Sequence, residues 1–142
     1  MMAKPQTRKI DQINPLGTST ISNRIKLGSQ AEAVACQFLI EQDMQLKSSN
    51  YRTRRGEIDL IMQDADCLVF VEVKYRRTNK YGTSEESITQ AKCQKVIAAA
   101  KEFLVTNGYQ EDTYIRFDAV LISPADNPQS DCTINWIQNI LT

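Results

Sequence analysis

Two carboxylates and a lysine interrupt strand-like runs of apolar residues in the middle of this chain. Asp59 lies in the run GEIDLI, and Glu72 and Lys74 follow it in the run FVEVK. Because alternate side chains of an extended strand share a face, Glu72 and Lys74 point to the same side. An ionised group in such a core-like position needs a partner, a metal ion or water, since uncompensated burial is costly. These three residues are therefore candidates for chemistry.

The chemistry that suits this set is metal-dependent hydrolysis of a phosphodiester. Carboxylates on adjacent strands can hold a hard divalent cation such as Mg²⁺ or Mn²⁺, which prefers oxygen ligands. Asp59 and Glu72 would supply two of these ligands, and the backbone carbonyl of Val73 would supply a third. Lys74 would orient or deprotonate the attacking water. Phosphodiester hydrolysis requires a Lewis acid, an activated water in line and stabilisation of charge on the leaving oxygen.

Composition excludes several other kinds of site. The chain has no histidine, which removes serine-histidine and cysteine-histidine triads, histidine-based metal hydrolysis and C2H2 fingers. Its four cysteines are scattered without CxxC spacing, which favours reduced thiols in a reducing compartment over a four-thiolate zinc site. Lysine plus arginine equals aspartate plus glutamate at 17 each, so affinity for nucleic acid would have to come from local clustering.

Length and patterning predict one domain after a flexible terminus. Residues 1–22 are polar and show neither helix nor strand periodicity, so we expect a flexible tail there and a single domain over residues 23–142. Apolar runs stop well short of the roughly 18 residues that a membrane helix needs, and no signal-peptide core is visible. We therefore expect a cytoplasmic protein without a membrane partner.

The elements that must position these residues alternate between helix and strand. Helices are predicted over about residues 23–42 and from a capping box at Thr83 and Glu86 to near Gly108, with a bend near Thr89. Strands are predicted over about residues 45–52, 56–63, 67–76, 114–123 and 133–141. This order predicts an α/β fold with a mixed β-sheet of about five strands flanked by helices.

Alternation also assigns faces within the predicted strands. Ile58, Leu60 and Met62 should share one face of their strand, and Asp59 and Ile61 should share the other. For Asp118, which lies between Phe117 and Ala119 in a later strand, the sequence leaves open a buried hydrogen-bond acceptor or a support for the site.

The motifs together resemble a known family. GEIDLI followed by FVEVK, preceded by Gly28 with Glu32 on a helix and by Asn50-Tyr51-Arg52, is similar to the YraN family of small bacterial proteins. That family resembles Holliday junction resolvases and the restriction-endonuclease-like superfamily, whose motif is an aspartate followed later by Glu-x-Lys. The likeness runs from about residue 27 to residue 136. It implies a restriction-endonuclease-like nuclease domain that acts on DNA, including structured or branched DNA.

The resemblance implies roles for particular residues. Asp59 and Glu72 would bind Mg²⁺ or Mn²⁺, Lys74 would serve the attacking water, and Glu32 would add an acid from the first helix. Gln90 and Lys92 resemble polar residues that related nucleases place beside the site. Glu57 would either assist Asp59 or form a surface ion pair with Arg52 or Arg54.

Basic side chains gather at the ends of the acid-bearing strands, where a phosphate backbone would lie. They are Arg52, Arg54, Arg55, Lys74, Arg76, Arg77 and Lys80. An ordinary charged turn is the alternative for any single arginine. The alternative for the whole protein is a non-catalytic nucleic-acid-binding or scaffold protein on the same fold. The substrate and a homodimer, the state that resolvases adopt, remain open at this stage.

Overall fold

The computed structural model describes residues 6–12, 30–76, 90–125 and 132–141, which form six strands and two helices. The strands are β1 (Gln6–Gln12), β2 (Gln45–Arg52), β3 (Glu57–Asp64), β4 (Cys67–Tyr75), β5 (Tyr114–Pro124) and β6 (Cys132–Gln138). The helices are α1 (Ala31–Glu41) and α2 (Gln90–Thr106). Gly28, Arg77, Lys80, the predicted capping box and the predicted bend near Thr89 lie outside the described residues.

One mixed sheet contains all six strands, in the order β1-β6-β5-β4-β3-β2. β4 and β5 run parallel, and every other neighbouring pair is antiparallel. A parallel pair needs a crossover connection, and α2 lies between these two strands in the chain. The α/β class and the mixed sheet flanked by helices are therefore confirmed.

β1 corrects the prediction of a flexible tail for part of residues 1–22. Its backbone pairs antiparallel with β6 along its whole length, from Gln6 opposite Gln138 to Gln12 opposite Cys132. The segment QTRKIDQ has a single apolar residue, so it carries no alternation that could have revealed it. An edge strand can be held by backbone hydrogen bonds, which almost every residue type offers. The sheet therefore has six strands instead of about five.

The two helices cover opposite faces of the sheet and make three layers. Val69 and Val71 of β4 join Phe38 of α1 in one buried cluster. Phe70, one residue away, packs with Phe103 of α2 in a second cluster, and their rings meet edge to face. This is the alternation expected of a strand buried on both faces. In the described part of the chain no helix has the length and apolar character to cross a membrane.

The predicted alternation of β3 is wrong at one residue. Leu60 and Met62 pack on the α1 side and Ile61 on the α2 side, as expected. Ile58, which should share a face with Leu60, packs with Ile61 on the α2 side. The change of side falls at Asp59, immediately beyond the last residue of β3 that pairs with β4. Beyond Leu60 the pairing of β3 with β4 ends while its pairing with β2 continues, so β3 twists there and the period of two is lost.

Gly56, in the turn between β2 and β3, allows that turn to pack directly on α2. A Cβ atom at this position would lie 2.6 Å from the carbonyl oxygen of Lys95 and 2.9 Å from its Cβ atom. We expect Gly56→Ala to lower the free energy of unfolding by about 1–3 kcal/mol, because the turn must move off the helix. Urea denaturation would measure the change. An unchanged unfolding midpoint would mean that the turn and α2 are not in contact.

Candidate metal and catalytic site

The predicted acids come together at the end of the sheet where β3 begins and β4 ends. The antiparallel pairing of these strands places Asp59 beside Glu72. Glu32 lies in the first turn of α1, and Lys92 lies in the first turn of α2. Residues from two strands and both helices therefore meet at one place in the fold.

The ladder between β3 and β4 opens where the acids lie. The last described pair is Leu60 with Val71, and beyond it the Asp59 side chain replaces the missing backbone partner. Asp59 Oδ2 accepts a hydrogen bond of 2.8 Å from the backbone N–H of Val73. The N–H and C=O of one strand residue point to the same side of the strand, so the Val73 carbonyl is also directed toward Asp59. Val73 directly follows Glu72 in β4, and the Asp59 carboxylate therefore lies beside that of Glu72.

The acids are buried and in contact with one another. Asp59 and Glu72 are 7% and 6% exposed, and their carboxyl groups are within hydrogen-bonding reach. Desolvation, followed by the charge of Glu72, raises the pKa of Asp59 to about 6. Desolvation, followed by the charge of Asp59, also raises the pKa of Glu32 above its usual value. Carboxyl groups this close resist full ionisation unless a cation shares the site.

Lys92 is the lysine that touches Glu72. Its Nζ lies 2.7 Å from Glu72 Oε1, and burial, which would lower the pKa of Lys92, is outweighed by the bond to Glu72, so that this pKa is raised. The other oxygen, Oε2 of Glu72, is buried and has no hydrogen-bond partner. Lys74 is half-buried and makes no ion pair with a described residue. The spacing of Glu-x-Lys alone would have favoured Lys74 as the partner.

Asn50 is a residue of the site that the sequence did not single out for chemistry. It lies in β2 at the register position opposite Asp59, between the pairs Ser49–Leu60 and Tyr51–Ile58, and has a φ of +51°. Asparagine tolerates this left-handed conformation better than most residues. Its side chain hydrogen-bonds Glu32, which lowers the pKa of that acid and opposes the effect of burial. Asn50 thus fixes the position of the α1 carboxylate.

The chemistry of these donors fits a hard divalent cation. Mg²⁺ usually binds through one or two carboxylates and keeps several waters, so Asp59 and Glu72 supply enough protein ligands. The unpartnered Glu72 Oε2 and the nearby Val73 carbonyl are oxygen donors at the same place. Across the described residues, no three Asp, Glu or Cys side chains are already arranged as metal ligands. The four cysteines, all described, are free thiols.

The raised pKa of Asp59 predicts how pH and Mg²⁺ act on stability. The folded chain holds this proton more tightly than the unfolded chain, whose ordinary pKa is 3.8, so metal-free stability falls as pH rises from about 4 to about 6. Mg²⁺ bound at Asp59 would compete with that proton. At about pH 8, Mg²⁺ at roughly a hundred times its Kd is expected to raise the melting temperature by about 5–10 °C.

At about pH 5 the Mg²⁺-induced shift should be much smaller, because Asp59 is then largely protonated. Differential scanning fluorimetry with and without Mg²⁺ measures both shifts. Asp59→Asn should lose the shift at pH 8, whereas Asp64→Asn, on the same strand but paired with Arg116, should keep it. Equal shifts at the two pH values would argue against a cation at Asp59.

The predicted arginines at and next to the β2–β3 turn differ in whether they already have an acidic partner. Arg52 Nε lies 3.3 Å from Glu57 Oε2, in an ion pair whose side chains are 76% and 60% exposed, which is the surface pair that was one alternative for Glu57. Arg54 and Arg55 are exposed and line a groove of about 470 Å³ that also contains Glu72 and Lys92.

The remaining predicted residues lie at the ends of elements. Gln90 is the exposed first residue of α2. Arg76 follows β4, and its backbone N–H donates to the carbonyl of Ile122. Of the predicted polar and basic residues, Arg54, Arg55 and Lys92 therefore share a groove with Glu72.

Asp118 is a buried hydrogen-bond acceptor, which is the first of the two alternatives that the sequence left open. It is 0% exposed and accepts bonds from the Arg116 guanidinium, from Nε1–H of Trp136 and from the backbone N–H of Asn139. These contacts join β5, β6 and the residues after β6.

Comparison with known proteins extends the likeness over most of the chain. Residues 31–122 match the model described as "Uncharacterised protein family UPF0102". A UPF0102 protein of Nitrosococcus oceani is 46% identical over 115 residues, covering 79% of this chain and 88% of the relative. A UPF0102 protein of Nitrosomonas europaea is 46% identical over 112 residues, covering 79% and 90%. One from Pseudomonas syringae pv. tomato is 41% identical over 120 residues, covering 83% and 94%. This chain therefore belongs to the UPF0102 family, the YraN family that its motifs resemble.

Proposed function

We propose that this protein is a metal-dependent nuclease that hydrolyses phosphodiester bonds in DNA. The observation that carries this function is the contact between the buried carboxyl groups of Asp59 and Glu72, with Glu72 Oε2 left without a partner. Such a cluster is costly as a purely structural device, since apolar residues of similar volume would serve stability as well or better. Mg²⁺ or Mn²⁺ would compensate the acids and, when bound, act as a Lewis acid on the scissile phosphate.

Each residue of the site has a part in this function. The Val73 N–H fixes the Asp59 carboxylate, and Lys92 fixes one oxygen of Glu72, so both acids are oriented before substrate arrives. Lys74, adjacent to Val73 in β4, would orient or deprotonate the attacking water. Glu32 adds negative charge from α1, held by Asn50.

A scaffold or nucleic-acid-binding protein without turnover is the second candidate. The 2.7 Å ion pair between Lys92 and Glu72 favours it, because the lysine already neutralises part of the acidic charge. In that case binding to DNA would be salt-dependent but indifferent to chelators. The free thiols of all four cysteines are consistent with the cytoplasm as the place of action for either function.

Labelled duplex, single-stranded, flap and four-way junction DNAs incubated with Mn²⁺ test the proposed activity. We expect nicking of at least one substrate by the wild-type protein, and its loss in Lys74→Ala and in the presence of EDTA. Lys47→Ala is the matched control, since Lys47 is exposed on β2 away from the acids and should keep full activity. Chelator-insensitive binding without nicking of any substrate would favour the scaffold instead.

A further inference from the structure

A basic groove runs from the acids across the β2–β3 turn and along α2. Its first part, of about 470 Å³, has Glu72 in its wall. Its second part, of about 710 Å³, lies along α2 as far as Thr106. Arg54 and Arg55 line both parts, so the two are continuous at the turn. We call the whole the turn-helix groove; its cations are Arg52, Arg54, Arg55, Lys92, Lys95 and Lys101.

The turn that carries the two arginines is held rigidly. Thr53 Oγ1 accepts hydrogen bonds of 3.1 Å from the backbone N–H groups of Arg55 and Gly56 and donates one of 2.9 Å to the Gly56 carbonyl. The Thr53 N–H donates a further bond to that carbonyl. Gly56 in turn lies against the backbone of Lys95. The groove is therefore preformed, with little ordering left to occur on binding.

Four of the six cations are available to an anion. Arg52 and Lys92 already pair with Glu57 and Glu72. The other four, all exposed, make no ion pair with a residue in the described ranges; they are Arg54, Arg55, Lys95 and Lys101. Three carboxylates share the groove with the six cations, so the groove is positive in a chain whose formal net charge is zero. Local excess charge of this kind is what binds a polyanion.

We propose that the turn-helix groove binds the sugar-phosphate backbone of one nucleic-acid strand and leads it to the acids. This inference rests on the proposed function, since that strand is the one to be cut. From Lys92 to Lys101 the helix rises roughly 13 Å and makes about two and a half turns, so Lys92 faces the sheet and Lys101 lies on the opposite, outer face of α2. A strand that contacts both lysines therefore crosses α2 obliquely, with Lys95 between them. Arg54 and Arg55, at the middle of the groove, contact the strand from the side opposite α2.

Fluorescence anisotropy with short labelled oligonucleotides, measured in EDTA, tests the groove without any turnover. Arg54→Ala, Arg55→Ala, Lys95→Ala and Lys101→Ala should each raise Kd about 3–10-fold and reduce the slope of log K against log salt by about 0.7–0.9. Lys47→Ala removes the same charge outside the groove and should change neither quantity. The assay is run with single-stranded and duplex DNA and with single-stranded and duplex RNA. The nucleic acid whose Kd rises most in the groove variants is the one whose backbone the groove prefers.

Loss of affinity in the groove variants, on any of these nucleic acids, supports the groove even if no nicking is ever found. Conversely, groove variants that bind as Lys47→Ala does would overturn it, even if the wild-type protein proves to be a nuclease. Circular dichroism of each variant confirms that a loss of binding is not a loss of fold.

Discussion

Asp59→Asn is expected to lower the rate of Mn²⁺-dependent nicking by roughly a thousandfold, equivalent to about 4 kcal/mol of transition-state stabilisation. The amide keeps the shape of the side chain and can still accept the Val73 N–H, but it loses the negative charge that attracts the cation. Glu72→Gln should have an effect of similar size, because it removes the charge next to the unpartnered oxygen. Initial rates at saturating Mn²⁺, on the substrate that the wild type cuts best, measure both changes.

Asp64→Asn is the matched control for the nuclease measurement. Asp64 lies on the same strand as Asp59, but its carboxylate pairs with Arg116 at 3.2 Å and its side chain is 37% exposed. The nicking rate of Asp64→Asn should stay within a factor of about two of the wild-type rate, since the lost surface ion pair contributes little to stability. Nicking by Asp59→Asn at the same rate as by Asp64→Asn would mean that Asp59 is not needed for cutting, and would contradict the proposed site.

Asp118→Ala is expected to destabilise the protein by about 3–5 kcal/mol, the largest effect on folding that we predict. The substitution leaves Asp64 as the remaining carboxylate bound to the Arg116 guanidinium and removes the acceptor of the Trp136 indole N–H. Both donors are partly or fully buried, so water cannot easily replace the carboxylate. Trp136 is the single tryptophan of the chain, so its fluorescence should report both the local change and the unfolding transition.

Asp64→Ala distinguishes the contribution of Asp64 to stability from that of Asp118, since both carboxylates pair with Arg116. It removes the more exposed carboxylate and should cost less than about 1 kcal/mol in urea denaturation. Destabilisation of the same size in both variants would show that the guanidinium pair matters and the buried acceptor role of Asp118 does not. The loss of unfolding free energy in Asp118→Asn should lie between those of Asp64→Ala and Asp118→Ala, because asparagine keeps an oxygen acceptor but lacks the charge.

The buried strands could be predicted from the sequence because each is long enough for its apolar residues to show a period. In β4 the alternation of Val69 and Val71 with Phe70 and Glu72 follows directly from burial on two faces. The same regularity revealed the acids, since Asp59 and Glu72 break it. The candidate site was therefore recognised from residues that violate the pattern of their own strands.

What the sequence could not supply depends on contacts between distant segments. β1 is held by backbone pairing with β6, for which the side chains of QTRKIDQ carry no signal. Lys92 was placed beside the site only through the family resemblance, because no local rule tells which turn of α2 faces Glu72. Asn50 occupies a left-handed conformation inside a strand, and propensity rules assign that conformation to turns.

The pairing of β1 with β6 joins residues 6–12 to residues 132–138. When β1 detaches, β6 loses one of its two neighbours, and a row of backbone donors and acceptors is left bare along one border of the sheet. Such a border is a template for another chain. Protein that lacks residues 6–12 is thus expected to self-associate through the exposed edge of β6.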